Sequence, residues 1–87
     1  MSKYISSKDE LAKRLRYMRK HLNYTQQEIA EYLGITRSTY AYYESNKTLP
    51  DIFRLLKLSS LYKINVEYLF IDNDKKLKRC LDKASNT

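Results

Sequence analysis

Across its 87 residues the chain holds one glycine, Gly34, and one proline, Pro50. That scarcity constrains the fold more than any other feature. Sandwiches, barrels and linker-rich chains turn often, and they draw on both residues to do so. Helices joined by short connections need few of either. A chain this short supports one compact core at most. The sequence therefore predicts a single all-α domain, and the question becomes where its helices start and stop.

The starts are marked by short polar residues ahead of apolar-periodic runs. "SKDE" at residues 7–10 is a capping-box pattern, with Glu10 three residues after Ser7. Leu11, Leu15, Met18 and Leu22 follow at helical spacing. Asn23 suits a left-handed helix end. Thr25 and Glu28 form a second box, with Tyr24 and Ile29 at the staple positions. Ile29, Ala30 and Leu33 make a short apolar face, and Gly34 closes that helix as a residue free to take positive φ. Thr36 caps a third helix from Arg37 to Ser45, with Ile35 placed to staple onto Tyr40 and Asn46 as terminator. Two short helices across a tight turn are a helix-turn-helix arrangement. Pro50 fits the start of a fourth helix, with Ile52, Leu55, Leu56, Leu58, Leu61 and Tyr62 as its apolar positions. Asn65 caps a fifth short helix with Val66, Leu69 and Phe70 inward. Residues 1–71 read as the domain. Residues 72–87 read as a basic tail, helical from a cap at Asp72, with Leu77, Cys80 and Leu81 along one side.

Charge narrows the function. Seventeen Lys and Arg face ten Asp and Glu, a net charge of +7, which suits an anionic polymer or surface. A plain solubility charge is the competing explanation. The excess is concentrated at the start, where residues 1–21 carry seven bases and two acids. Cys80 and His21 are each the only residue of their type, so no internal disulfide and no metal cluster is expected. One glycine excludes a glycine-rich phosphate loop, and no cofactor is expected. The paired acids read as caps or solvated helix residues, which argues against an enzyme. The longest apolar runs, such as "YLFI", are far short of a membrane span. With no leader pattern at the start, the expectation is a cytoplasmic protein.

From Leu11 to Phe70 these pieces resemble the Cro/phage-repressor-type (Xre-type) helix-turn-helix DNA-binding domains. The resemblance is carried by Arg19, "TQQEIA", Gly34, "YESNK", Pro50 and "LLKLSSLYKINVEYL", in the family's order and spacing. Two departures stand out. Asn occupies positions 23 and 46, where the family often has Gly, and the recognition helix is unusually rich in tyrosine. The second puts sequence preference in question rather than the fold. The resemblance implies a compact five-helix, lambda-repressor-like domain, here with room for an extra C-terminal helix. It implies double-stranded DNA as partner, read in the major groove by helix 37–45. Family members are commonly homodimers on palindromic operators. The dimer surface is expected on helix five and the tail, through Phe70, Ile71, Leu77 or Leu81; the competing reading places those side chains in a monomer's core.

A helical wheel sorts the recognition helix. Tyr40, Tyr43 and Glu44 point one way, and Ser38, Ala41, Tyr42 and Ser45 the other, with Arg37 and Thr39 on the flanks. Arg37 can bind a guanine edge or a phosphate. Ser38 can reach either, and Thr39 offers a methyl to thymine and a hydroxyl to phosphate. Tyr42 can lie against thymine methyls or the sugar wall, or meet a protein instead. The resemblance places Gln26 and the Asn46–Lys47 loop on the phosphate backbone, and Thr36 can add its hydroxyl while capping. Arg16 and Lys20 read as a solvated face with charge to spare. An inward Glu44 carboxylate needs a partner, and the resemblance supplies Arg19 as a partly buried ion pair. The alternative function is a protein-interaction module, antitoxin-like or a co-regulator, with DNA contact secondary or lost.

Overall fold

Every helix whose cap is visible begins at a side-chain oxygen that takes an otherwise unbonded backbone N–H. The computed structural model describes residues 4–72 and 74–85. The helices are α1 (Lys8–His21), α2 (Gln26–Leu33), α3 (Arg37–Glu44), α4 (Ile52–Tyr62) and α5 (Asp74–Ser85), with a 3-10 turn at Val66–Leu69. Among the described residues there is no strand, only an isolated antiparallel bridge between Tyr4 and Ile71.

The expected caps recur as geometry. Ser7 accepts from the Glu10 amide at 3.2 Å, although the Glu10 carboxylate takes the Ser6 hydroxyl at 3.4 Å. The second box is complete: the Glu28 amide donates to Thr25 Oγ1 at 3.0 Å, and the Thr25 amide donates to Glu28 Oε1 at 2.8 Å. Thr36 takes the Thr39 amide at 3.2 Å, and Asn65 takes the Glu67 amide at 3.0 Å. Gly34 ends α2 at φ 73°, with its amide and that of Ile35 turned back to Glu31 and Ala30. Asn23 and Asn46 hold positive φ at 63° and 62°.

Four expectations give way. Pro50 does not open α4. It is buried ahead of the helix, and Asp51 is the cap, accepting from the Arg54 amide at 2.9 Å. The recognition helix closes at Glu44, with Ser45 as its C-cap. The fifth helix is a single 3-10 turn. Ile52 and Leu56, expected in the core, are exposed, while Leu55, Leu58 and Tyr62 turn inward.

The core joins all the elements: Leu11, Leu15 and Met18 of α1, Ile29 and Leu33 of α2, Tyr40 and Tyr43 of α3, Leu58 and Tyr62 of α4, Leu69 of the turn, and Leu77 and Leu81 of α5. Of the two readings of Phe70, Ile71, Leu77 and Leu81, the structure shows the one that places them in a single chain's core. Leu77 and Leu81 are fully buried, Ile71 is buried, and Phe70 packs half-buried against the core. Covering each leucine within the chain stabilises it by about 2 kcal/mol. Polar contacts hold the tail in place. The buried Arg14 donates to the Tyr68 and Ile71 carbonyls, the Ile5 amide donates to the Phe70 carbonyl at 2.7 Å, and His21 Nε2 lies 2.6 Å from Asp82 Oδ1.

Candidate nucleic-acid interface

The recognition helix is fastened by the side its sequence turns inward. Tyr40 is fully buried and Tyr43 nearly so, and their rings meet edge to face with centroids 6.1 Å apart. Tyr43 Oη accepts from Arg54 Nη1 at 3.0 Å, which ties α3 to the first turn of α4.

Glu44 is the deeper anchor. Arg19 Nε donates to its Oε2 at 2.7 Å and Arg19 Nη2 to its Oε1 at 3.0 Å, a bidentate pair. Arg19 Nη1 also holds the Tyr24 carbonyl at 3.0 Å, and Gln26 Nε2 donates to Glu44 Oε1 at 3.2 Å. One carboxylate thus fixes α1, the start of α2 and the end of α3 together. Burial alone would raise the Glu44 carboxyl, but the Arg19 guanidinium, with Tyr40 and Gln26 beside it, holds it below the usual carboxylate range. The Tyr40 and Tyr62 hydroxyls lie buried close by, outside hydrogen-bond geometry. Burial is the main cause that pushes both well above the usual phenol range.

On the opposite side α3 presents an exposed edge. Arg37, Ser38 and Tyr42 are exposed, and Thr39 is half-exposed with its hydroxyl 2.8 Å from that of Thr36. The Thr36 hydroxyl is thus already committed to its cap and to Thr39. Tyr42 is 45% exposed and held in place: Lys47 Nζ sits 5.2 Å from its ring centroid, and the Lys47 amide donates to its carbonyl at 3.0 Å.

Beside this edge opens a cleft of about 450 Å³ lined by Arg16, Arg19, Lys20, Gln26, Ala41, Tyr42, Glu44, Ser45 and Lys47. Arg19 and Glu44 neutralise each other there, leaving Arg16, Lys20 and Lys47 as exposed cations around it. The structure therefore brings Gln26, Tyr42 and Lys47 to one place and Arg37, Ser38 and Thr39 to the adjoining edge. Arg16 and Lys20, read from sequence as solvated, line the same cleft. Their i, i+4 spacing around the inward Arg19 was the available signal. Gln26 engages Glu44 through one of its two amide hydrogens.

A basic cleft beside an exposed helix-turn-helix edge agrees with what the chain is similar to. A helix-turn-helix family profile matches residues 15–69, more than half of the protein. The chain belongs to the helix-turn-helix family of the Cro and phage-repressor (Xre) type. This helix-turn-helix protein is 38% identical over 77 residues to the HTH-type transcriptional regulator ImmR of Bacillus subtilis, covering 88% of this chain and 61% of ImmR. It is 41% identical over 56 residues to YonR, an SPbeta prophage-derived HTH-type transcriptional regulator of the same organism, covering 64% of this chain and 52% of YonR. Among solved structures, a transcriptional regulator from Listeria innocua superposes with a TM-score of 0.67 at 26% identity, over 99% of this chain and 80% of that one. The helix-turn-helix protein thus spans between half and two thirds of the length of these two curated relatives.

Proposed function

We propose that the protein is a transcriptional regulator that binds double-stranded DNA in a sequence-specific manner, with α3 in the major groove. The observation that carries this reading is the continuity between the exposed edge of Arg37, Ser38, Thr39 and Tyr42 and the cleft ringed by Arg16, Lys20 and Lys47. Base edges would meet the first set, which specifies, and phosphates the second, which positions. Arg37 stands in the first turn, where a guanidinium can take guanine O6 and N7 together. Gln26 and the α2 N-terminus face the backbone in this pose, and the Arg19–Glu44 pair keeps reading edge and cleft in register. The role is binding rather than catalysis. Among the described residues no helix is long and apolar enough to cross a membrane, and we place the protein's action on DNA in the cytoplasm.

Selection of bound sequences from random duplex with the purified protein tests this directly. The expected result is an enriched site, palindromic where two copies bind, and an affinity that falls with salt by a log–log slope of about −0.9 per phosphate neutralised. Enrichment no better than random duplex, or binding indifferent to salt, would overturn it and favour the protein-interaction role.

A further inference from the structure

A second cleft, of about 440 Å³, lies between α1 and the start of α5 and shares no lining residue with the first. Lys13, Arg14 and Tyr17 line it from α1, Lys75 and Lys78 from α5, and Asp72 from the connection ahead of α5. Its volume falls among those of small-molecule sites, about 300–1,000 Å³. The α1 wall is fixed by contacts within the chain. Arg14 is 7% exposed and donates to the Tyr68 and Ile71 carbonyls. The Tyr17 ring stacks on that of His21 with centroids 5.6 Å apart, and His21 in turn meets Asp82 of α5. Lys75 and Lys78 share a face of α5 by their i, i+3 spacing. Both are exposed, and neither has an ion pair among the described residues. Lys13 is only loosely engaged, 3.2 Å from Asp9 in an exposed pair of little energetic weight. Glu10, the remaining lining residue, accepts from the Ser6 hydroxyl, which leaves Asp72 the more open acceptor.

We propose that this cleft binds a nucleoside phosphate: the phosphate at Lys75 and Lys78, the base against Tyr17, and the sugar hydroxyls donating to Asp72. The cleft brings three chemistries together, and this class of ligand uses all three. Ammonium groups hold phosphate as point charges. An aromatic ring offers a base a stacking surface whatever the base. A carboxylate takes hydroxyl donors. Other anions use less of the site. Inorganic phosphate leaves Tyr17 without a partner. An acidic peptide or a nucleic-acid strand carries charge along its length, so part of it meets Glu10 and Asp72 as repulsion. A nucleoside phosphate keeps its charge at one end and its donors at the other, which matches lysines on one element and a carboxylate beside them. The site stands apart from the α3 edge and does not rest on the DNA-binding reading.

Calorimetric titration of the 87-residue protein without DNA tests the site. The probes are ADP, GDP and UDP, with inorganic phosphate and adenosine as part-ligands. At physiological salt, which screens diffuse attraction to a basic surface, at least one nucleotide should bind with Kd of about 300 µM or tighter, well inside what ligands of that size reach. Each part-ligand should bind at least about 10-fold more weakly, since phosphate and base engage different walls. Lys75→Gln combined with Lys78→Gln, both at exposed positions, should weaken the nucleotide by about 10-fold or more. Tyr17→Ala should weaken it by about 10-fold. Lys20→Gln combined with Lys47→Gln, from the other cleft, should leave it unchanged. Circular dichroism verifies each fold. Amide NMR shifts in the wild type should centre on Tyr17, Asp72, Lys75 and Lys78, a reading that needs no variant. The proposal is overturned if no nucleotide reaches that affinity, if inorganic phosphate binds as well, or if the Lys20 and Lys47 variant is the one that loses binding. Nucleotide binding by a protein that selects no DNA defeats the functional reading alone; DNA selection without nucleotide binding defeats this one alone.

Discussion

Replacing Glu44 by Gln keeps the side chain's shape and removes its charge. Arg19 then keeps one neutral amide oxygen to donate to, loses the charge, and faces an NH2 donor where its second carboxylate bond was. Breaking a fully buried ion pair from one side costs about 3–5 kcal/mol. Here the Glu44 side chain is 4% exposed and that of Arg19 12%, and the pair lines an open cleft. Water can follow the guanidinium there, so the expected cost is lower, about 2–3 kcal/mol. A domain of this size loses about 4–8 °C of Tm per kcal/mol, and the midpoint should drop by about 10–20 °C. A domain of 87 residues has about 4–13 kcal/mol of stability, enough for the variant to stay folded at 25 °C. Thermal melts of the wild type, Glu44→Gln, Arg19→Met and the double variant complete a cycle whose coupling energy should exceed about 1 kcal/mol. A Tm shift below about 3 °C, or additive single variants, would refute the claim that this pair fixes α3 against α1.

The same pair has a pH signature whose sign follows from the direction of the shift. Folding lowers the Glu44 carboxyl below its ordinary value of 4.5. Between the folded and unfolded values the unfolded chain binds more protons, so acid favours unfolding there. The stabilisation is complete above 4.5 and disappears as pH falls through the folded value. The Tm gap between wild type and Glu44→Gln should therefore be widest near neutrality and narrow as pH drops below about 4. A gap independent of pH would point to lost packing rather than lost charge.

Three further outcomes are expected. Lys63 ends α4 at φ 57°, so Lys63→Gly should gain about 0.5–1 kcal/mol in urea melts; Gly34→Ala, at φ 73° with nothing within 4 Å of the added methyl, should lose about 1 kcal/mol from backbone conformation alone. Leu81→Ala should cost about 2–5 kcal/mol, as the loss of a fully buried leucine does, and a cost under about 1 kcal/mol would separate the tail from the core. Arg37→Ala should weaken DNA binding by about 1–3 kcal/mol with relaxed preference at one base pair if it reads guanine, or evenly across sequences with a salt slope smaller by about 1 if it holds phosphate; unchanged affinity in a filter-binding titration would remove it from the interface.

The features legible in the sequence are those decided locally. Ser7, Thr25, Thr36 and Asn65 cap because a short acceptor side chain reaches an amide two or three residues on, and Asn23 and Asn46 end helices because few other side chains tolerate positive φ. Where two local signals compete, the reading slips. Pro50 and Asp51 both suit a helix start, and Asp51 takes the cap because only it can accept the Arg54 amide. The inward and outward sides of α3 are legible by wheel, since sorting it into Tyr40, Tyr43 and Glu44 against Ser38 and Tyr42 needs no knowledge of other elements. The cleft was not, because Arg16 and Lys20 become part of it only once α1 lies across α3.

The apolar stripes show the same limit at its sharpest. Periodicity reveals that a helix has an apolar face and says nothing of what covers it. Leu77 and Leu81 on one helix, and Ile52 and Leu56 on another, are equivalent by that measure. Contacts between distant segments break the tie: Arg14 grips the carbonyls before α5 and His21 meets Asp82, and the tail's leucines sit in the shared core. Once those places in the core are filled, α4 satisfies it with Leu55, Leu58 and Tyr62 and leaves Ile52, Phe53 and Leu56 outside. Of two stripes alike in periodicity, the one expected to join two copies is used within one, and the other stays in water.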